Sequence, residues 1–301
     1  MSKIDPFISK PYSFLLSEKA KAKGERSILI IALASFLIHL ALIVMVDLGW
    51  ILKEFSYDLL SNPISAIYTP FSFIIVYEVY LLLYYLPQSI TTYISKQYEI
   101  IALILIRKTF KDLANLDLES NWFQNQEDLQ FTYDIVAAIV IFFLIFLFYY
   151  NTQKSSVEKK ELSTRLQKFV SYKKAIALVL VPIIIGLALY TVGSWLWVLT
   201  SGNEVSGISK DINRIFFEDF FGVMIFVDVV LLLLSLFYTD KFHKVIRNSG
   251  FVISTILIRL SFSVEGLVKN VLIISAVTLG LLTLLIHNLF EKRLPKSHKS
   301  I

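Results

Sequence analysis

The chain has 301 residues, 56% of them hydrophobic, with a mean hydropathy of +0.66 and a formal net charge of +5. A soluble core absorbs one apolar segment of membrane length but not eight in succession, so a soluble globular class is excluded. The basic residues collect at the ends of apolar segments with no aromatic–basic module beside them, which fits membrane orientation signals and argues against nucleic acid as a partner.

Residues 1–27 (MSKIDPFISKPYSFLLSEKAKAKGERS) are polar and basic. The apolar run that follows is too long for a signal-peptide core and no small-residue cleavage site is evident, so the segment reads as a retained cytoplasmic tail. Its stretch IDPFISKPYSFLL alternatively lies on the membrane surface. Apolar runs then predict spanning helices at 28–51, 64–87, 89–111, 132–151, 174–199, 215–238, 247–267 and 270–290. The third and seventh are the least apolar. Each is interrupted by charge, so other helices are expected to shield it from lipid. Between the fourth and fifth runs, 152–173 is a basic linker with Leu162, Leu166 and Val170 at four-residue spacing. It reads as an amphipathic helix near the headgroups, with its lysines toward anionic lipid. A basic tail, 292–301, closes the chain.

The segment IALILIRKTF (Ile101 to Phe110) returns as ISTILIRLSF (Ile253 to Phe262), identical at six of ten positions and retaining Arg107 as Arg259. Upstream of each copy an apolar stretch carries one acid, Glu78 or Asp228. One unit is therefore expected twice, as repeat one (28–151) and repeat two (174–291). The fold class is an all-α, polytopic transmembrane bundle of about eight spans in two tandem four-helix repeats. An even number of spans per repeat gives both copies the same orientation, related by an axis along the membrane normal. Lys and Arg favour the cytoplasmic side about three to one when both termini are placed there. Compact loops and the absence of glycosylation sequons point to a bacterial inner membrane.

Charge inside hydrocarbon is expensive and needs a partner, a cavity or a function. Glu78 and Lys96 lie nine residues either side of Pro87, so a helical hairpin turning there puts them at similar depth and makes an ion pair plausible. Gln97 and Glu99 add hydrogen-bonding capacity on the same span. Arg107, about 16 Å beyond Lys96, is expected near the outer end, reaching toward water. In repeat two Asn248 stands at the position of Lys96 and Phe251 at that of Glu99, so Asp228 has several candidate partners: Arg247, Asn248 or a residue of repeat one. Two readings stand for Glu78, Asp228, Arg107 and Arg259. They line or gate an ion or proton pathway, or they fix helix register, since buried pairs add little net stability. His39, mid-span in the first helix, is either a proton-accepting group or a neutral imidazole bonded to a neighbouring helix. His287 and Asn288 belong to the inner interface. Pro182 with Gly186 reads as a kink or a close helix contact, and Trp195 and Trp197 as part of an aromatic belt.

No catalytic or cofactor motif is present, so no enzyme, cofactor or metal is expected. Cysteine is absent, which removes disulfides, thiolate metal sites and cysteine nucleophiles. There is no phosphate-cradling loop and no serine-nucleophile elbow, and Ser206–Gly207 has no visible base. The four histidines, His39, His243, His287 and His298, form no paired-histidine motif. Neither fourth span carries the arginine ladder of a voltage sensor, in which each charge contributes only about 2.3 kcal/mol per 100 mV, and no channel filter sequence occurs. The expected function is a small-ion or proton pathway between the repeats or within a homo-oligomer, with Glu78, Lys96, Glu99, Arg107, Asp228, Arg259 and His39 as candidate residues. The alternative is a membrane-embedded sensor, regulator or scaffold acting through protein partners.

Overall fold

The computed structural model of the protein describes residues 6–50, 63–113, 126–153, 164–200, 212–238, 241–264 and 266–293. Every regular element among them is helical: α1 (Pro6–Leu15), α2 (Glu18–Asp47), α3 (Tyr68–Tyr85, preceded by a 3-10 turn at Pro63–Ile67), α4 (Ile90–Leu113), α5 (Gln126–Gln153), α6 (Thr164–Thr200), α7 (Ile212–Tyr238), α8 (Phe242–Ser261) and α9 (Gly266–Arg293). The boundaries follow local chemistry. Ser17 caps α2, its hydroxyl accepting from the Ala20 amide at 3.2 Å. The same helix ends on Gly49 at φ 74°, with Gly49 N–H bonded to the Val46 carbonyl and Trp50 N–H to that of Met45. That pair of bonds is the Schellman termination, which glycine adopts without a Cβ penalty. Pro87 breaks the α3–α4 hairpin, and Ser89 caps α4 by accepting from the Thr92 amide.

Among the described residues, five segments are long and apolar enough to cross a membrane: Lys10–Asp47, Asp128–Thr152, Gln167–Leu187, Phe220–Tyr238 and Gly266–Arg293. The apolar part of α3, Thr69–Tyr85, is shorter, and neither α4 nor α8 holds a stretch that is both so long and so apolar. The reason is their charge and polarity: α4 carries Lys96, Glu99, Arg107 and Lys108, and α8 carries Arg247, Asn248 and Arg259. Apolar side chains cover the outside of the long helices, among them Leu33, Ile38, Phe143, Phe146, Leu189, Phe226 and Phe237. Such a surface is at rest against hydrocarbon and unstable in water. The architecture is that of a helical membrane protein.

Each helix packs on its successor from α2 to α5 and again from α6 to α9, and the two series meet where α5 lies on α9, α3 on α6, and α4 touches α8. The centre is aromatic. Tyr98 meets Phe148 edge-on at 5.1 Å between ring centroids, and Phe148 meets Phe251 at 5.7 Å. Close approach there depends on Gly280. A Cβ at that position would lie 1.7 Å from the Tyr98 hydroxyl, which itself bonds Ser254 Oγ at 2.7 Å.

Three expectations are corrected. The N-terminal segment is not a free tail: residues 6–15 form α1, which packs on α6 with Leu16 1% exposed and the Tyr80 hydroxyl donating to the Leu15 carbonyl at 2.9 Å. Tyr12 also lies beneath the Lys174 ammonium. One face of this short apolar run thus rests against protein, with Tyr12 and Leu15 half-buried, while Phe14 on the other face stays exposed. The second half of the 152–173 linker is not a separate surface helix, because α6 begins at Thr164 and continues unbroken. Leu162, the side chains of Leu166, Trp195 and Trp197, Ser206–Gly207, His298 and most of the acidic 112–131 loop lie outside the described residues. Gly186 makes no close helix contact, since a Cβ there would meet nothing within 4 Å.

Candidate functional site

Asp228 lies eight residues inside one end and ten inside the other of the apolar segment Phe220–Tyr238, so it stands near mid-span. It is 2% exposed. Its Oδ2 receives Arg259 Nη2 at 2.7 Å and the Thr255 hydroxyl at 3.2 Å, both from α8. Its Oδ1 receives the Tyr93 hydroxyl at 3.0 Å from α4, and Gln97 Nε2 approaches both oxygens at 3.4 and 3.5 Å. Gln97 Oε1 in turn accepts from Arg259 Nη2 at 3.3 Å. The carboxylate is therefore neutralised and bonded from both halves of the chain, the arrangement a buried charge needs. Arg259 retains one buried nitrogen, Nη1, with no hydrogen-bond partner. Tyr93 and Gln97 are four residues apart on α4 and thus share one helix face.

The expected Glu78–Lys96 pair does not form. Lys96 Nζ instead bonds Glu99, at 2.8 and 2.6 Å to its two oxygens, and lies over the Tyr85 ring. Glu99 also accepts from the Tyr149 hydroxyl of α5. Residues three apart on one helix are adjacent, which favours Glu99 over an acid on another helix. Glu78 remains half-buried in α3, in the electrostatic reach of Glu99, Lys96 and Glu25. The two acids are consequently not equivalent: Asp228 is joined to the repeated arginine, Glu78 is not. Arg107 does not extend to solvent either, being 9% exposed. His39 Nδ1 bonds the Thr69 hydroxyl, tying α2 to α3.

A second polar centre was not singled out from sequence. Asp134 in α5 is 2% exposed and accepts from Lys108 of α4, from Gln130 Nε2 at 2.8 Å and from Asn270 Nδ2 of α9 at 2.6 Å. An acid beside the tyrosine that opens an apolar run was the available signal. Lys173, counted in the sequence only as an orientation charge, is 1% exposed and donates to the Gln88 carbonyl at 2.8 Å, joining α6 to the α3–α4 turn. A third grouping, at the shared end of α8 and α9, brings His243, His287 and Glu291 within reach of one another, although no short motif announces it.

The polar side chains thus gather on the inner helices, where α4, α5, α7, α8 and α9 meet, while the outer surface is apolar. A search of protein-family models, of curated proteins and of solved structures finds no match to this chain.

Proposed function

We propose that the chain is an eight-span protein of two tandem four-helix units that passes a small ion or proton across its membrane. The successive packing of α2 to α5 and of α6 to α9 supports the repeat, with corresponding helices in contact at α5–α9 and α4–α8 beside a non-corresponding contact at α3–α6. Short, charged α4 and α8 fit as inner spans shielded from lipid by the others. In the proposed orientation both termini and 152–173 face the cytoplasm of a bacterial inner membrane, beside anionic lipid.

One observation carries the transport reading: Asp228 and Arg259 form an ion pair near mid-span, held across the two halves by Gln97, with Arg259 Nη1 unfilled. A buried guanidinium N–H without a protein partner is a place for water or a passing anion. Glu78 and the Lys96–Glu99 pair supply further exchangeable charge along α3 and α4. The test is flux in liposomes, with ion gradients and pH jumps, comparing the wild type with Glu78→Gln, Asp228→Asn and the double variant. Flux abolished in folded Asp228→Asn protein is expected. Unchanged flux in the double variant would refute the role of these acids.

A second reading has its own observation. Both Asp228 oxygens are already occupied, as in a lock that holds two halves of a regulator or scaffold together. Wild-type protein that passes neither protons nor monovalent ions at any imposed potential would favour it.

A further inference from the structure

His243 stands in the first turn of α8, and His287 and Glu291 lie one turn apart near the end of α9. The helices run antiparallel, since Lys269 at the start of α9 lies over Phe262 at the end of α8. Their opposite ends therefore bring together residues 44 and 48 positions apart in sequence. One ligand atom from each of the three residues lies within 4.8 Å of the other two. The two imidazoles stack at 5.2 Å with an interplanar angle of 25°. His287 Nε2 is 3.4 Å from Glu291 Oε1. Two ligands bound at about 2.1 Å to a tetrahedral ion stand about 3.4 Å apart, so this pair already has the bite of a metal site.

The environment sorts the possible ions. His287 is 2% exposed, and its Nε2 is the ring nitrogen nearest both Glu291 and Arg247. Its Nε2 faces Arg247 Nη1 at 3.0 Å, while Arg247 Nε and Nη2 bond Asn248 Oδ1 at 3.2 and 3.1 Å. The guanidinium occupies the lone pair that a metal would take, and a cation already rests there. Two imidazoles and a carboxylate suit zinc and its first-row neighbours better than calcium or magnesium, which prefer all-oxygen ligands. His243 is half-buried and Glu291 exposed, so the site opens to water at the helix ends and leaves a fourth position for a water ligand. Lys241 and Lys244 act on His243 and oppose a cation there, and Arg247 opposes one at both imidazoles, which makes displacement of Arg247 the deciding step.

We propose that His243, His287 and Glu291 bind one divalent transition-metal ion of the zinc class, in competition with the Arg247 guanidinium. The bound ion would join the open ends of α8 and α9. The proposal is independent of the transport reading.

The test uses full-length protein, purified and stripped with chelator, titrated with Zn²⁺ by calorimetry and with Co²⁺ by visible absorption. One ion per chain is expected. His243→Ala and Glu291→Gln, at helix-end positions that carry little packing, should each weaken it at least about ten-fold. Arg247→Gln should tighten it several-fold, and binding seen only in that variant also supports the site. No binding in either the wild type or Arg247→Gln would overturn the proposal. So would an ion that survives both His243→Ala and Glu291→Gln, which would be adventitious only.

Discussion

Removing one member of the Asp228–Arg259 pair should cost far more than removing both. In Asp228→Val, the Arg259 guanidinium, whose side chain is 4% exposed, loses its counter-charge and retains only Gln97 Oε1 as an acceptor. An uncompensated buried charge costs about 3–5 kcal/mol. The Tyr93 hydroxyl loses its bond to the carboxylate at the same time, adding about 1 kcal/mol or more where no new acceptor is found, whereas the Thr255 hydroxyl keeps the Val252 carbonyl as an acceptor at 3.0 Å. Arg259→Met is milder, because Tyr93, Thr255 and Gln97 still donate to Asp228, and it belongs at the lower end of the range. In the double variant no charge remains, and the residual cost is mainly that of the Tyr93 hydroxyl. The coupling energy should therefore be about 3 kcal/mol, a factor of roughly 150 in the unfolding constant. Reversible unfolding in mixed micelles, measured for the wild type, both single variants and the double variant, gives the cycle. A coupling below about 1 kcal/mol would refute the reasoning, since it would mean that the pair is solvated or does not form.

Two further outcomes follow from the packing and the proposed topology. Gly280→Ala places a methyl group 1.7 Å from the Tyr98 hydroxyl and 2.9 Å from its Cζ, so Tyr98 must leave Ser254. A loss of about 1–3 kcal/mol is expected in thermal or denaturant unfolding, largely recovered when Tyr98→Leu is added; an unchanged midpoint in Gly280→Ala would contradict the close α4–α8–α9 contact. Because the natural chain has no cysteine, single cysteines can map orientation in intact cells. Lys269→Cys should react with an impermeant reagent from outside, and Arg293→Cys only after lysis. The reverse pattern would invert the proposed topology.

Much of the helical framework was legible from local signals. The apolar run expected at 215–238 is α7, Ile212–Tyr238, and that expected at 89–111 is α4, Ile90–Leu113. Length, apolar content and Pro87 act within a few residues of themselves, so a linear reading finds them. Charge within α4, α7 and α8 also marked Asp228 and Arg259 as residues that need an explanation. Their pairing was not legible. Arg247, Asn248 and residues of the first half were equally plausible partners for Asp228, and the choice of Arg259 with Tyr93, Gln97 and Thr255 depends on how α4, α7 and α8 are rotated against one another. Lys96 instead meets Glu99 through their three-residue spacing on α4, a local signal that the sequence held. The packing of other helix pairs turns Arg107 inward, docks α1 on α6, and brings His243 of α8 to His287 and Glu291 of α9. Burial in lipid is decided by composition along the chain, whereas the partner of a buried charge is decided by which helix faces meet in space, and helical periodicity alone does not say which faces those are.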